Sequence, residues 1–572
     1  MSRRLLVLLV ASTALLVPPI AGAQKADEEQ TFYESIDVQV VNLEVFVTDK
    51  SGKRITGLTK DDFQILEDGK PIEITNFFAV GHETPAAEPS PSDTTAAPSQ
   101  PTALPDEQKL LLAVVVDNLS LLAPARNRLL QSVREKVVAH LRPEDLALAA
   151  TFDGGDVEVV QGLTNDKEAL LSALGQIGKG APRGVERAMD RRRLLSEIDR
   201  GDALGGPRPE IAEINASEVY SGIELYVQQR FLETRATLKA LTQFVDTLAG
   251  LPGRKALLYI GGGLSVRPGE SFYLAWQNKF ASLNPAVGAS PFDGFRNDLT
   301  SSFDEMVHHA NGNRVTFYTL GATEELAGVS ADLGPSSTWT RDLENTEQMN
   351  LAESMRRLAD GTGGLLSMNA SDPGPILERM REDFDSYYSL GFVPQGKKDG
   401  KNRKIQVSVR GRRDLLVRHR NGRRERPVGE RMTDRTLAAL LLDPGQNPLD
   451  VALDFTSEKK NAKGQIELEV LVKFPLAHLV LLPQAKVHQG KVTVWVGARD
   501  QHRRNSPVQE IAIPICVAND QLLTALGQTA AYKMPLVLRP EEHRIAVVVR
   551  DELGNLDSTV VTSFKPGQTA AP

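Results

Sequence analysis

Along residues 110–116 seven apolar side chains run without interruption, Leu110-Leu111-Leu112-Ala113-Val114-Val115-Val116, and the run stops at one carboxylate, Asp117. A short unbroken apolar run is the pattern of a strand buried on both faces, as in a parallel sheet. Elsewhere the chain alternates. Ile36, Val38 and Val40 are followed by Val41, Leu43, Val45 and Val47, a period of two with one slip of phase, which predicts a half-buried strand carrying a bulge. "DKSGK" and "LEDGK" put glycine where a turn needs positive φ, so "DFQILEDGKPIEITNF" reads as a hairpin, and residues 32–81 as part of a small β domain.

Residues 82–107 hold six prolines among Ala, Ser and Thr, a composition that buries no core and serves as an extended linker. From 108 to 380 strand patterns alternate with helical ones. "DLALAATF", a "DGGD" turn and "VEVVQGL" precede a helix capped by Thr164 or Asn165. A long helix with Thr234, Leu238, Leu241, Val245 and Leu248 at spacings of four and three leads to "KALLYI", "RVTFYTL", the helix "LAESMRRLADGTGG" and "LLSM". This order predicts a doubly wound α/β domain, whose ligands bind at the carboxyl ends of its strands. "YYSLGFV", "KIQVSV" and "LLVRH" (381–425) are too few to hold a core alone and are expected to complete the N-terminal β domain, with the α/β domain inserted in it. Across 430–572, "IELEVLVKF", "KVTVWV" and the hairpin "HRIAVVVRDELGNLDSTVVTSF" predict an Ig-like β-sandwich.

At 572 residues the chain exceeds the roughly 250–300 residues at which one core stops growing, so several domains are expected. With 41% hydrophobic, 24% charged and 5% aromatic residues, it is neither wholly disordered nor a polytopic membrane protein. Residues 1–23 place Arg3 and Arg4 before an apolar run from Leu5 to Val17, then Ala21-Gly22-Ala23, the form of an export signal cleaved near Ala23. The run is shorter than the roughly 20 residues of a spanning helix, and Pro18-Pro19 stops it. The mature chain is therefore expected to be secreted or periplasmic, with no membrane span. The single cysteine, Cys516 in "IAIPICV", excludes a disulfide framework and reads as a small buried apolar side chain.

Taken in order, "VNLEVFVTDKSGKRITGLTKDDFQILEDGK", "LLLAVVVDNLS", "KALLYIGGGLS" and "YYSLGFVP" resemble the bacterial von Willebrand factor A-related secreted proteins. Residues 108–380 within them resemble a von Willebrand factor type A domain. The resemblance implies a metal-ion-dependent adhesion site: an Asp-x-Ser-x-Ser motif after the first strand, a Thr from a loop and a second Asp after the fourth strand. Mg²⁺ takes six oxygens at roughly 2.1 Å, and the last comes from a partner's carboxylate. Here Asp117 matches, but Leu119 and Leu121 stand at the serine positions, "KGAPRG" offers no hydroxyl for the threonine, and Gly262 replaces the second aspartate. One carboxylate between apolar walls makes no octahedral cage. Asp117 therefore reads as a cap or turn residue, and no cofactor is expected. Mg²⁺ or Ca²⁺ would need a rearranged site in which Ser120, Asp153 and Asp156 join Asp117.

Gly261-Gly262-Gly263 removes side chains where the second aspartate would stand. The bare N–H groups would form an anion-binding nest, with Arg183 and Arg267 nearby in a type A topology; the plainer alternative is a tight turn that needs glycine for backbone reasons. Asp117, Asn118, Ser120, Gly261, Gly262, Gly263, Arg183 and Arg267 outline the expected partner-binding face. Residues 397–431 carry 14 Lys or Arg against four Asp or Glu, net +10, in a chain of net −8, which leaves −18 elsewhere. Such a segment attracts polyanions, although charged edge strands that block edge pairing account for it more simply. Ser265 lacks the Gly-x-Ser-x-Gly frame, and His308-His309, adjacent on a helix, point about 100° apart. The reading is an exported non-catalytic binding protein for a protein or cell-envelope partner, with no nucleic acid expected. An envelope polyanion binder acting through 397–431 is the alternative, and a serine hydrolase the second.

Overall fold

The computed structural model describes residues 40–81, 109–200, 209–251, 253–280, 290, 292–322, 338–368, 372–394, 400–424, 426–442, 445–502 and 504–567. The signal-like residues 1–23, the linker 82–107 and Ile36 and Val38 of the first alternating pattern lie outside the described residues.

β1 (Val41–Thr48) starts where the alternation slips phase, and its Leu43, Val45 and Val47 point into a core. Its outward Phe46 is covered instead by the guanidinium groups of Arg54 and Arg418, 5.3 and 5.0 Å from the ring centre. β2 (Phe63–Glu67), β3 (Lys70–Ile72) and β4 (Ile74–Val80) follow. Asp68 and Gly69, at φ +49° and +80°, turn β2 into β3.

β5 (Leu110–Asp117), β6 (Leu146–Phe152), β7 (Glu158–Thr164), β8 (Arg254–Gly261), β9 (Val315–Gly321) and β10 (Leu366–Ser367) form one sheet in the order 10-9-8-5-6-7. All its pairs are parallel except β6–β7. Every residue of the central β5 is buried, because helices cover both faces. Leu112, Val114 and Val116 pack with α1 (Ala123–Lys136), α2 (Lys167–Lys179) and α8 (Gly374–Asp385). Leu111, Ala113 and Val115 pack with α4 (Pro209–Ala249), α6 (Thr300–Gly312) and α7 (Thr338–Thr362). The cap of α2 is Asp166, not Thr164 or Asn165: its carboxylate accepts from the N–H groups of Glu168 (2.9 Å) and Ala169 (3.3 Å). Thr164 still belongs to β7, and its hydroxyl accepts from the Asp166 N–H.

After α8 the chain returns to the first β elements. β11 (Tyr387–Phe392) lies antiparallel between β1 and β4, and β13 (Leu416–Arg418) adds to β1. β12 (Asn402–Val409) pairs with β2 and with β14 (Gly422–Arg424). Two four-stranded sheets, each built from strands on both sides of the α/β segment, thus share one core around Val45, Phe63, Tyr388 and Ile405.

Residues 430–572 do not begin with a strand. α9 (Val428–Leu442) comes first and packs against two neighbours. Ala438 and Leu442 join the core beside α4, while Met432 meets Trp495, and Leu440 meets Ala546. Beyond it, β15 (Ala452–Lys460), β16 (Ile466–Pro475) and β20 (Thr529–Leu538) form one antiparallel sheet. β17 (Leu482–Pro483), β18 (Val487–Asp500), β19 (Gln509–Ala518), β21 (His543–Asp551) and β22 (Leu556–Phe564) form the other, and the two share a core. Cys516 is exposed, contrary to its apolar setting. β19 turns Ile511, Ile513 and Ile515 toward that core, so period two places residue 516 outside.

Candidate functional site

At the end of β5 the Asp117 carboxylate, 0% exposed, has four donors. Oδ1 accepts from the N–H groups of Leu119 (2.9 Å) and Ser120 (3.2 Å), the geometry of an Asx turn. Oδ2 accepts from the Ser120 hydroxyl (2.7 Å) and the Tyr259 hydroxyl (2.6 Å). Burial, followed by the charge of Asp117 and this hydrogen bond, holds the Tyr259 hydroxyl well above its ordinary pKa, so it keeps its proton and donates. The Gly262 N–H donates to Ser120 Oγ (2.8 Å), and the chain Gly262–Ser120–Asp117–Tyr259 ties the carboxyl ends of β5 and β8 together. A metal at Asp117 would have to displace the Ser120 and Tyr259 hydroxyls. Leu119 and Leu121, at the serine positions of the adhesion motif, are buried against Phe152 and in the sheet core.

The other expected members of the face separate into buried and exposed groups. Asn118 is buried, with its amide bonded to Thr151 Oγ1 (2.8 Å) and to Arg126 (3.0 Å). Like Asp117 it lies beneath the surface, and its side-chain bonds are made inside the protein. Asp153 and Asp156 are exposed in the β6–β7 turn, whereas the Asp117 carboxylate is buried. Arg183 is also exposed, bonded to the Asp153 carbonyl (3.2 Å) and to Glu186 (3.2 Å). Arg267 lies 3.2 Å from both Glu270 and Glu353, and its backbone is clasped by Asn350.

The glycine loop is set by packing. A Cβ on Gly262 would stand 2.4 Å from the Ser120 carbonyl, and one on Gly263, at φ +92°, would stand 2.9 Å from Leu351 Cβ. Of the expected nest, the Gly262 N–H is occupied inside the protein by Ser120 Oγ, and next to it the Leu264 N–H is taken by Ser354 Oγ (3.2 Å).

Above this loop stands a feature that the hydrophobic pattern does not announce. α3 (Gly184–Arg200) and α5 (Glu270–Phe280) join the first half of α4 in a separate core of Leu195, Ile198, Ile223, Val227, Phe272 and Trp276. The 41 residues of α4 span roughly 60 Å. Its second half lies on the sheet through Leu241 and Val245, and its first half rises past the carboxyl edge as a wall of this crown. Where it crosses, Tyr226, Arg230 and Thr234, spaced by four, share one face and line a cavity of about 90 Å³ with Arg187 and Arg191 of α3. Its floor is Ser120, Gly262, Gly263 and Ser265. The cavity thus lies at the carboxyl ends of β5 and β8, where the strand order reverses and doubly wound sheets bind ligands. Glu233 lies 3.0 Å from Arg187 and 2.9 Å from Arg230, and Asp190 lies 3.3 Å from Arg230. Burial, then the charge of Glu347, pushes the Tyr226 phenol above its ordinary range. A signal was present in the spacings 187/191 and 226/230/234, but it acquires meaning only once α3 and α4 are known to face each other.

The basic segment does not form one exposed patch. Arg418 bonds Asp383 (2.8 Å), Arg423 bonds Glu67, Arg426 pairs with Asp434 (2.5 Å), and Arg420 and Arg423 are buried. Lys401, Lys404, Arg410 and Arg413 remain on the surface. His309 Nε2 lies 2.6 Å from Asp246 on the side of α6, and among the described residues no group of three or more His, Cys, Asp or Glu is placed to hold a metal. Ser265 Oγ is buried with no hydrogen-bond partner among the described residues.

No protein-family model matches the chain, and no curated protein does. Among solved structures it is similar to the SpRpn10 VWA domain, at 10% identity over 48% of this chain and 94% of that one, with a TM-score of 0.18. It is also similar to the TFIIH p34 N-terminal domain, at 13% identity over 48% of this chain and 96% of that one, with a TM-score of 0.16. At these scores the likeness carries no argument, and the α/β assignment rests on the parallel strands and their covering helices alone.

Proposed function

We propose that this is a non-catalytic binding protein whose crown, at the carboxyl edge of the α/β sheet, receives a protein or cell-envelope partner without a bridging metal. One observation carries the reading: nine of the 17 large hydrophobic side chains exposed among the described residues belong to α3, α4, α5, α7 and the turn at 292–295. Hydrophobic exposure concentrated on the helices that build the crown and on their neighbours is characteristic of an interaction surface. The four donors already on Asp117 support a metal-free mode. Ser265 is no nucleophile in this reading, since no described base accepts its proton. The reading includes export, so the N-terminus of the mature protein is expected at Gln24. The polyanion alternative is weakened by the inward pairing of Arg418, Arg423 and Arg426.

Photo-crosslinking residues at Met189 and Leu225 of the crown, compared with Leu523 of the C-terminal domain, test this; all three side chains are exposed (66%, 74% and 87%). In cells that make the protein, Met189 and Leu225 are expected to give a discrete adduct that Leu523 does not. Adducts from Leu523 alone, or equally from all three, would contradict it.

A further inference from the structure

Three arginines and three carboxylates stand in and behind the walls of the cavity, but they do not pair off. Glu233 bridges Arg187 and Arg230, Asp190 takes the remaining side of Arg230, and Glu347 Oε2 accepts from Ser271 Oγ at 2.9 Å. Arg191 is left over. It is 7% exposed, and Nε, Nη1 and Nη2 make no hydrogen bond to any described residue. Ser265 Oγ, also buried and unbonded, lines the same space. A guanidinium always carries its charge, and burying one with none of its donors satisfied is among the most unfavourable arrangements a fold can hold. Two such groups lining one cavity describe a site that a ligand completes.

We infer that the cavity is a receptor for a single carboxylate, which Arg191 grips through its two-pronged fork while the Ser265 hydroxyl donates to one oxygen. The planar fork matches two carboxylate oxygens. With Glu347 on the same wall, the three arginines are already matched in number by three carboxylates, so a monoanion meets less repulsion there than a phosphate dianion would. At about 90 Å³, and with roughly 10–15 Å³ needed per water, the space has room for a carboxylate and a short stem. That the carboxylate is presented by a partner, through an acidic side chain or a chain terminus, rests on the function proposed above.

The test follows the thermal midpoint of the full-length protein against rising concentrations of four probes. N-acetylglutamine carries a terminal carboxylate, N-acetylglutamate α-amide a side-chain carboxylate, N-acetylglutamine amide none, and inorganic phosphate supplies the dianion. At least one carboxylate probe is expected to raise the midpoint, and the better of the two identifies the source; the neutral amide and phosphate are expected to leave it unchanged. In Arg191→Gln the apparent affinity is expected to fall roughly tenfold or more, as for loss of a charged hydrogen-bonding partner, while Arg183→Gln retains it. Unliganded Arg191→Gln is also expected to melt higher than the wild type, because an unsatisfied buried charge has been removed. Arg191→Lys, which keeps the charge without the fork, and Ser265→Ala are also each expected to weaken binding. No response to either carboxylate, a stronger response to phosphate, or an effect undiminished in the Arg191 and Ser265 variants overturns the inference. So does a lower midpoint of unliganded Arg191→Gln, which would make Arg191 a structural partner. The crosslinking at Met189 and Leu225 is read separately, so a crown that binds a partner without this carboxylate contact is distinguishable from one that binds nothing.

Discussion

Asp117 shows how a buried carboxylate at a strand end can be satisfied by the protein's own donors. Its carboxylate sits at a strand end, but Tyr259 and Ser120 donate where a cation would stand. Tyr259→Phe removes one donor from a buried charge and is expected to destabilise the protein by about 1–3 kcal/mol, read by denaturant unfolding; an unchanged midpoint would mean the bond carries no weight. Mg²⁺ is expected to bind no tighter than millimolar, about −4 kcal/mol, and micromolar calorimetric binding lost in Asp117→Ala would refute this. A second residue-scale case is Lys255, buried at the base of β8 near Glu44 and Arg314. Burial, with Arg314 next, lowers its pKa to about 7, against roughly 10.4 in an unfolded chain. Below pH 7 both states are protonated and the burial penalty is complete. As pH rises the folded state loses its proton first, so this contribution to stability increases until the unfolded state titrates as well. The stability advantage of Lys255→Met over the wild type is therefore expected to be largest below pH 7 and to shrink toward pH 10, by up to about 1.4 kcal/mol per pH unit. An advantage that does not vary with pH would contradict it.

Among the elements, those whose patterns are purely apolar or strictly alternating were the legible ones. β5 was readable to its last residue because seven apolar positions leave a strand no exposed face, and β16 because Ile466, Leu468, Val470, Val472 and Phe474 keep period two throughout. α3 escaped because "GVERAMDRRRLLSEIDR" is mostly charged: it covers other helices rather than the sheet, and only Leu194, Leu195 and Ile198 enter a core. α9 escaped because its contacts face two ways, to α4 and to the C-terminal sheet, and no single apolar stripe results. Half of the candidate site shares this fate. Asp117 and the glycine loop stand out in the sequence, whereas Arg187, Arg191 and Arg230 are ordinary helix arginines until two helices bring them together. The packing of α9 yields an element-scale expectation, since a Cβ on Gly250 would lie 2.4 Å from the Asp434 carbonyl and 2.5 Å from Arg435 Cα. Gly250→Ala must separate α4 from α9, and is expected to cost about 1–3 kcal/mol; a neutral substitution would show that the helix junction is loose.

At the scale of the whole molecule, the α/β sheet and the first β sheets meet around one buried carboxylate, Asp383 of α8. It accepts from Arg418 of β13 (2.8 and 3.0 Å), from Arg54 and from the Tyr318 hydroxyl (3.1 Å). Asp383→Asn is expected to cost about 3–5 kcal/mol, as for one partner lost from a buried ion pair, and to lower the cooperativity of thermal unfolding if these parts are coupled through it. The same clamp joins the α/β sheet to the first β sheets, and in the function proposed above the crown at the carboxyl edge is what meets a partner. Whether that edge binds without a metal is decided by the crosslinked adduct from Leu225, its yield compared in Mg²⁺ and in excess chelator. Equal yields are expected; an adduct that forms in Mg²⁺ and disappears with the chelator would overturn the metal-free reading and restore a metal to the carboxyl edge of the sheet.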